Sequence, residues 1–403
     1  MSTQAIAGGI TAPAGYTAAG VCCGIKPSGK PDLGILASDA SASAAAVFTT
    51  NLAQAAPVVL SRDHLERSGG RARAIVVNSG CANACTGADG MAHAAAMARQ
   101  TAATVSCSPE EVLVASTGVI GVKLDMAKVC RGITDAAKSL SPAGGPAAAL
   151  AIMTTDPFPK EAAVESSIGS SSFRVGGMAK GSGMIEPMMA TMLGFVTTDA
   201  RVEPPLLRRA LTTAVNDTFN AISVDGECST NDCVFLLANG ASGTSVSESR
   251  GYQEFVDALT QVCETLAIGI VRGGEGATKL ITVNVTGARS DAEARRAARA
   301  IANSPLVKTA VHGGDPNWGR LIAVAGRSGA GFVLDRAAVR IGPIELFRDG
   351  APHDERSGDA ASYLAGRDVS LEVDMGTGQD GRSRMWTCDL SAEYVRINAD
   401  YRT

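Results

Sequence analysis

The stretch KGSGMIEPMMATMLGFVTTDA, residues 180–200, places a single threonine, Thr191, directly after an alanine, among four methionines and at the end of a Gly-punctuated loop. No histidine or carboxylate lies beside it in sequence to take the proton of its hydroxyl. A threonine needs no such neighbour when its own α-amine is free. That amine has a pKa of roughly 7.7–8 and can accept the hydroxyl proton itself. The condition is a break in the chain between Ala190 and Thr191. Alanine offers little bulk against attack on its carbonyl, while Gly181 and Gly183 let the loop bend tightly. Pro187 restricts the approach, and the apolar run after Thr191 would hold a new chain end rigid. Read locally, the same residues also describe a buried strand that opens on an idle threonine.

Other catalytic signatures are missing from the chain. It holds no GxSxG elbow, no GxxxxGKS or GxxxxGKT phosphate loop and no HExxH zinc helix. The four histidines, His64, His93, His312 and His353, are scattered. Ten cysteines include no CxxC pair: Cys22 and Cys23 are adjacent, and Cys81 and Cys85 form a lone CxxxC. Structural zinc needs four clustered ligands, so no metal site is expected. The cysteines read as buried thiols of a reducing compartment.

Around this chemistry, strand-like and helical periods alternate. RAIVVNSG (73–80) and EVLVASTGVIG (111–121) are apolar runs that end in Ser/Thr-Gly turns, and FRVGGMAKG and MLGFVTTDA flank the loop before Thr191 as strands. Residues 123–140 and 204–223 read as helices, the second with proline in its first turn. In YQEFVDALTQVCETLAIGIVRGG, Phe255, Val256, Leu259, Val262, Cys263, Leu266 and Ile270 recur at helical spacing before the stop at Gly273-Gly274. KLITVNVTG (279–287) is a strand, followed by a helix from Asp291 to about Asn303. Beyond residue 330 the pattern turns to short strands, as in VRIGPIELF, DVSLEVDM and MWTCDL. SGG (68–70), SPAGGP (141–146) and SSIGSSS (166–172) are the loop candidates.

With 403 residues and 45% hydrophobic content, the chain can bury a large core in two or more domain-sized units. Aromatics make up only 4%, so the cores must be close-packed Ala, Val, Leu and Ile, which suits α/β layers. A net charge of −4, with no run of Lys and Arg longer than two, argues against a nucleic-acid partner. No stretch of about twenty apolar residues points to a membrane span. Ahead of Lys26 there is no charged side chain, hence no basic leader, and the expected location is the cytoplasm.

Eight blocks, in order, resemble the glutamate N-acetyltransferase/ornithine acetyltransferase family of arginine biosynthesis. They are NSGCANACTG (78–87), STGVIG (116–121), AIMTTD (151–156), GGMAKGSGM (176–184) leading into MMATMLGF, VDGECSTND (224–232), RGGEGATKL (272–280), VHGGDPNWGR (311–320) and NADYRT (398–403). Cys81 departs from the asparagine expected in the first block, which puts any hydrogen bond there in doubt.

The resemblance implies an αββα sandwich like that of N-terminal-nucleophile enzymes, with a smaller C-terminal α/β unit from about 290 to 403. It implies self-cleavage into an α chain (1–190) and a β chain (191–403), assembled as α₂β₂. The Thr191 hydroxyl would attack the Ala190 carbonyl, and later take an acetyl group from N-acetylornithine and pass it to glutamate in a ping-pong reaction. Thr117 and Gly118 would stabilise the oxyanion. Thr154, Lys180, Thr191, Glu275, Asn398 and Thr403 would bind substrate, Lys180 suiting an α-carboxylate and Glu275 an amino group. No cofactor is implied, and acetyl-CoA stays open as a second acetyl donor. Two other readings stand beside this one: a self-cleaving amidohydrolase or aminopeptidase of the same architecture, and a non-enzymatic binding protein whose chain stays whole. VHGGDPNWGR reads as a structural corner with no assigned role.

Overall fold

The structure, a computed structural model, describes residues 3–186 and 192–400. The chain forms two compact units, one made of residues up to 220 with 227–270, the other of 221–226 with the residues from 271 onward.

The first unit holds strands β1 (Gln4–Ala5), β2 (Tyr16–Val21), β3 (Leu33–Phe48), β4 (Arg71–Cys81), β5 (Val112–Val119), β6 (Lys160–Ile168), β7 (Ser171–Lys180), β8 (Leu193–Thr198) and β9 (Cys233–Ala238). Its helices are α1 (Ala56–Arg67), α2 (Gly87–Val105), α3 (Met126–Lys138), α4 (Gly145–Ala151), α5 (Pro204–Asp217) and α6 (Tyr252–Arg272), the last of which runs on into the second unit. The strands join in the order β1-β6-β7-β8-β9-β3-β4-β5, with β2 on the free side of the first half of β3.

Alternation along these strands builds the layers. In β4, Ile75 and Val77 face one core while Ala74 and Val76 face another. β5 splits the same way, with Leu113 and Ala115 on one side and Val112 and Val114 on the other. The first core is completed by Met178, Phe195, Phe235 and Leu237 from β7, β8 and β9, so two arms of sheet pack face to face. The second core is covered by Ala94, Met97 and Ala98 of α2 and Val129 and Ile133 of α3. On the far arm, α6 lies over β7: Phe255 meets Phe173 at 5.9 Å between ring centroids, and Val262 and Leu266 fill the space over Gly177. The result is helix, sheet, sheet, helix. Strands buried on both faces must be apolar at nearly every position, which is why 74–77 and 193–196 carry no polar side chain.

The second unit has strands β10 (Leu280–Ala288), β11 (Ala338–Ile341), β12 (Ile344–Arg348), β13 (Ala351–Pro352), β14 (Asp368–Asp374) and β15 (Gly381–Cys388), in the order β13-β12-β11-β14-β10-β15. Its helices are α7 (Asp291–Ala302), α8 (Pro305–Gly313), α9 (Trp318–Gly326), α10 (Ser357–Leu364) and α11 (Ala392–Asp400). Ile281, Val283 and Val285 of β10 and Val369, Leu371 and Val373 of β14 alternate onto one core with Ala294, Ala297, Ala298 and Ile301 of α7. Ser290 caps α7 by accepting from the Glu293 N–H. The fully buried Lys308 ammonium explains why 221–226 joins this unit, since it donates to the Val224 carbonyl at 2.8 Å and to Thr387 Oγ1 at 2.9 Å.

Two details differ from the sequence pattern. The helix expected over 204–223 stops at Asp217, because Phe219 turns into the core and residues 219–221 form a separate short turn. SSIGSSS is a tight hairpin, with Ser166–Ile168 ending β6, Ser171 opening β7 and Gly169 at φ +64° between them. Among the described residues no helix is long and apolar enough to cross a membrane.

Candidate active site

STGVIG lies at the end of β5, where β4 and β5 run parallel with Asn78 opposite Ser116, Ser79 opposite Thr117 and Gly80 opposite Gly118. Gly118 has φ +128°, and a Cβ there would come within 2.6 Å of the Cys81 nitrogen and closer still to the Gly80 carbonyl carbon. Only glycine fits such backbone-to-backbone contact. Buried amides then fix the turn from both sides. Asn78 donates to the Cys81 carbonyl at 2.8 Å and accepts from Ser116 Oγ at 2.6 Å. Asn231, at the entrance to β9, donates to the Ser116 carbonyl at 2.8 Å and to the Ala82 carbonyl at 2.6 Å. The Cys81 thiol, pushed up by burial, donates to the Val122 carbonyl at 3.2 Å, so a donor is kept where asparagine was expected.

Lys180 closes β7, pairs with Leu193 of β8, and is 8% exposed. Its ammonium donates to Thr117 Oγ1 at 3.2 Å. Because the lysine donates, the Thr117 hydroxyl proton is left to point at an acceptor. Beneath these two sits Asp156, which the sequence reading passed over in favour of Thr154. Its carboxylate accepts the Gly181 N–H at 2.7 Å, the Thr154 N–H at 3.1 Å and the Lys160 ammonium at 2.5 Å. Burial alone would raise the Asp156 pKa, but Lys180, Lys160 and the Gly181 N–H overcome it and hold it down at about 2. Asp156 is therefore a fixed negative charge that anchors Thr154, Lys180 and the start of the loop toward residue 190.

The second unit brings together Glu275 and Asn398. Glu275 lies in the turn after α6, is 8% exposed, and its Oε2 accepts from Asn398 Nδ2 of α11 at 2.8 Å. Ser391 Oγ donates to the Gly276 carbonyl at 2.6 Å, which ties the same turn to the residue before α11. Asp389 holds the far end of the turn, accepting from the Thr278 N–H and Lys279 N–H at 2.7 and 2.8 Å and from His312 Nδ1 at 2.7 Å. Burial pushes the Asp389 carboxyl up, but these hydrogen bonds outweigh it and lower its pKa.

The VHGGDPNWGR block is thus a corner with a tie to the Glu275 turn. Gly314 ends α8 at φ +71°, Asn317 caps α9, and Trp318 stacks on Phe347 at 5.0 Å.

Of the residues expected from sequence, Thr117, Gly118, Thr154 and Lys180 converge in the first unit, and Glu275 and Asn398 meet in the second. Ala190, Thr191 and Thr403 lie outside the described residues. Asp156, Lys160 and Asn231 were missed, although Asp156 and Asn231 stand inside quoted blocks. A cavity of about 730 Å³ lies between β3, α1 and the start of α5, bordered by Ala44, Phe48, Arg62, Leu65, Pro205 and Arg208. None of the candidate site residues lines it.

Comparison with known proteins shows which family the chain resembles as a whole. The ArgJ family model matches residues 17–403. The arginine biosynthesis bifunctional protein ArgJ of Symbiobacterium thermophilum is 51% identical over 402 residues, spanning 99% of each chain. The protein of the same name from a Synechococcus species is 50% identical over 411 residues, again 99% of each. The crystal structure of arginine biosynthesis bifunctional protein argJ from Bacillus halodurans is 43% identical with a TM-score of 0.51, and covers 52% of this chain and 100% of that one.

Proposed function

This chain belongs to the ArgJ family, and from that premise we propose that it is an ornithine acetyltransferase of arginine biosynthesis acting through an acetyl-threonine formed at Thr191. The precursor cuts itself between Ala190 and Thr191, and the new α-amine becomes the base for the Thr191 hydroxyl. The hydroxyl attacks the acetyl carbonyl of N-acetylornithine, ornithine leaves with the proton, and glutamate then takes the acetyl group from the enzyme. Negative charge on the carbonyl oxygen falls to Thr117 and Gly118, where a preorganised donor is worth about 10²–10³ in rate. Lys180 holds the α-carboxylate. Glu275, oriented by Asn398, holds an amino group, and Thr154 and Thr403 complete the substrate contacts.

The observation that carries this reading is the Lys180–Thr117 hydrogen bond at the mouth of β5 and β7, with Gly118 beside it in a conformation only glycine tolerates. Leu193 of β8, two residues beyond Thr191 in sequence, pairs with Lys180, which supports a reading in which the threonine and the lysine act together. The solved Bacillus chain supports the cut: it matches over its full length yet spans 52% of this chain, the share that residues 191–403 would make up. On the same reading the two chains assemble as α₂β₂ in the cytoplasm and need no metal or other cofactor. The relatives' name calls them bifunctional, and on the same reading the second activity of this chain is acetylation of glutamate with acetyl-CoA as an alternative donor.

Denaturing electrophoresis and an acetyl-transfer assay test the proposal together. Two bands, the smaller-numbered residues in one and a new Thr-Met-Leu-Gly end on the other, with N-acetylglutamate formed from N-acetylornithine and glutamate, are expected. In the Thr191→Ala variant the chain should stay whole and inactive with its circular dichroism unchanged. An uncut wild-type chain of 40.9 kDa that still transfers acetyl groups would overturn the mechanism, and release of free acetate in place of transfer would make it a hydrolase.

A further inference from the structure

Lys26 is the first charged side chain of the sequence, and none of the roles above uses it. The turn that carries it is built on one fully buried carboxylate. Asp32 accepts the backbone N–H groups of Cys23, Gly24, Ile25 and Lys26 at 2.7, 3.0, 2.6 and 3.0 Å. The Asp32 carbonyl accepts the Ser79 N–H at 2.8 Å, which pins the turn to the end of β4. There Gly80, at φ +102° and paired with Gly118, leaves a slot: a Cβ added to it would lie 3.0 Å from Lys26 Cγ. The lysine stem therefore rests on Gly80, one backbone layer from the Thr117–Gly118 turn. Its ammonium donates to the Pro31 carbonyl at 2.6 Å, the one hydrogen bond it makes among the described residues, although an ammonium carries three donors.

The charges around it are those of the site. The Lys26 pKa is pulled down to about 8, first by burial and then by Lys180 and Lys30, against the opposing pull of Asp32 and Asp156. Two ammonium groups, Lys26 and Lys180, thus feel each other across the same strand ends. A ligand with two separated carboxylates relieves that repulsion, whereas one with a second ammonium adds to it. Glutamate is of the first kind and ornithine of the second. Resting on the acetyl-transfer reading above, we propose that Lys26 is a specificity-determining residue that receives the side-chain carboxylate of the acceptor while Lys180 holds its α-carboxylate. Lys26 then acts on the glutamate half of the reaction and not on the half that releases ornithine. Bound glutamate favours the charged lysine, so wild-type KM for glutamate rises as pH climbs past about 8.

The test uses the full-length, matured enzyme as wild type, Lys26→Met and Lys26→Arg. Ornithine release on adding N-acetylornithine without acceptor reports the first half. Acetyl transfer to glutamate and to glutamine, which lacks the second charge, reports the other. Lys26→Met should release ornithine within about twofold of wild type, raise KM for glutamate about tenfold or more, and lose most of the preference for glutamate over glutamine. Lys26→Arg should keep that preference, and the rise of KM above pH 8 should vanish in Lys26→Met. An unchanged glutamate-to-glutamine ratio in Lys26→Met overturns the proposal. Equal losses in both halves, or a lowered melting temperature with Lys26→Arg equally damaged, also overturn it and leave Lys26 as a brace for the turn at Gly80. If the wild-type enzyme itself releases no ornithine, it is the acetyl-transfer reading that fails.

Discussion

Replacing Gly118 with alanine, set beside the same change at Gly121, separates collision from conformational strain. Both glycines have positive φ, +128° and +79°, and stand three residues apart. A methyl group at Gly121 would meet nothing within 4 Å, so Gly121→Ala carries only the left-handed penalty, about 1–2 kcal/mol. At Gly118 the methyl would press on Gly80 and Cys81 backbone atoms, and these have little room to retreat because Asn78 and Asn231 hold the chain around them. Overpacking of that sort adds about 1–3 kcal/mol, for a total of about 2–5 kcal/mol. Any relief must move the Thr117–Gly118 peptide, and with it the proposed oxyanion donor, worth about 10²–10³ in rate. Urea unfolding followed by circular dichroism, and the ornithine-release burst measured on the same samples, read both quantities. Gly121→Ala should lose a little stability and keep its burst, while Gly118→Ala loses more stability and nearly all of the burst. Equal midpoints for the two variants, with a Gly118→Ala burst close to wild type, would refute the rigid contact and the role built on it.

Asp156→Asn should remove the charge that pairs with Lys160, whose side chain is 2% exposed; breaking such a buried pair costs about 3–5 kcal/mol, read as a lower urea midpoint. The same carboxylate predicts an acid dependence. Its folded pKa of about 2 lies below the unfolded value near 3.9, so its contribution of roughly 2–3 kcal/mol is complete above pH 4 and fades as pH falls toward 2. The midpoint gap between wild type and Asp156→Asn should accordingly narrow below pH 4, and a gap independent of pH would sink the assignment. Asn398→Ala should leave the buried Glu275 carboxylate short of a donor, a cost of about 1–3 kcal/mol that appears as a KM rise of about tenfold with kcat little changed. An unaltered KM would detach Asn398 from substrate binding.

The parts of this fold that were legible are those whose period is strong and whose partners are close in sequence. β4, β5, β8 and β10 are continuous or alternating apolar runs, and α6 shows seven apolar residues at helical spacing before its double-glycine stop. β3 left no comparable trace. Its sixteen residues, LGILASDASASAAAVF, are mostly Ala and Ser, with three exposed positions in the middle where β2 gives way to β9 as its neighbour. α2 is similarly hard to read because its buried face is small, with Ala94, Ala98 and Ala102 beside Gly90 and Thr101 and Met97 as the one large apolar residue. At the site, Thr117, Gly118 and Lys180 stood within recognisable blocks, and the structure adds that the first and last touch. Asn231 escaped because its work lies 115 residues away, at the Ser116 carbonyl, and spacing carries no record of such a bond. The Asp32 cradle under Lys26 is local, but carboxylate-to-backbone bonds in a turn leave no pattern of apolar residues to follow.

β8 is an interior strand, hydrogen-bonded along one edge to β7 and along the other to β9. A cut between residues 190 and 191 would place β7 and β8 in different molecules while leaving every rung of their ladder intact. What had been one chain's fold becomes an obligate association, and its unfolding then releases two particles whose recombination slows on dilution. Under that cut the link through 190–191 would serve as a single-use tether: it would let the two halves find each other once, as neighbours on one chain, and its loss would leave a protein whose persistence is governed by the rate of falling apart and not by a ready route back.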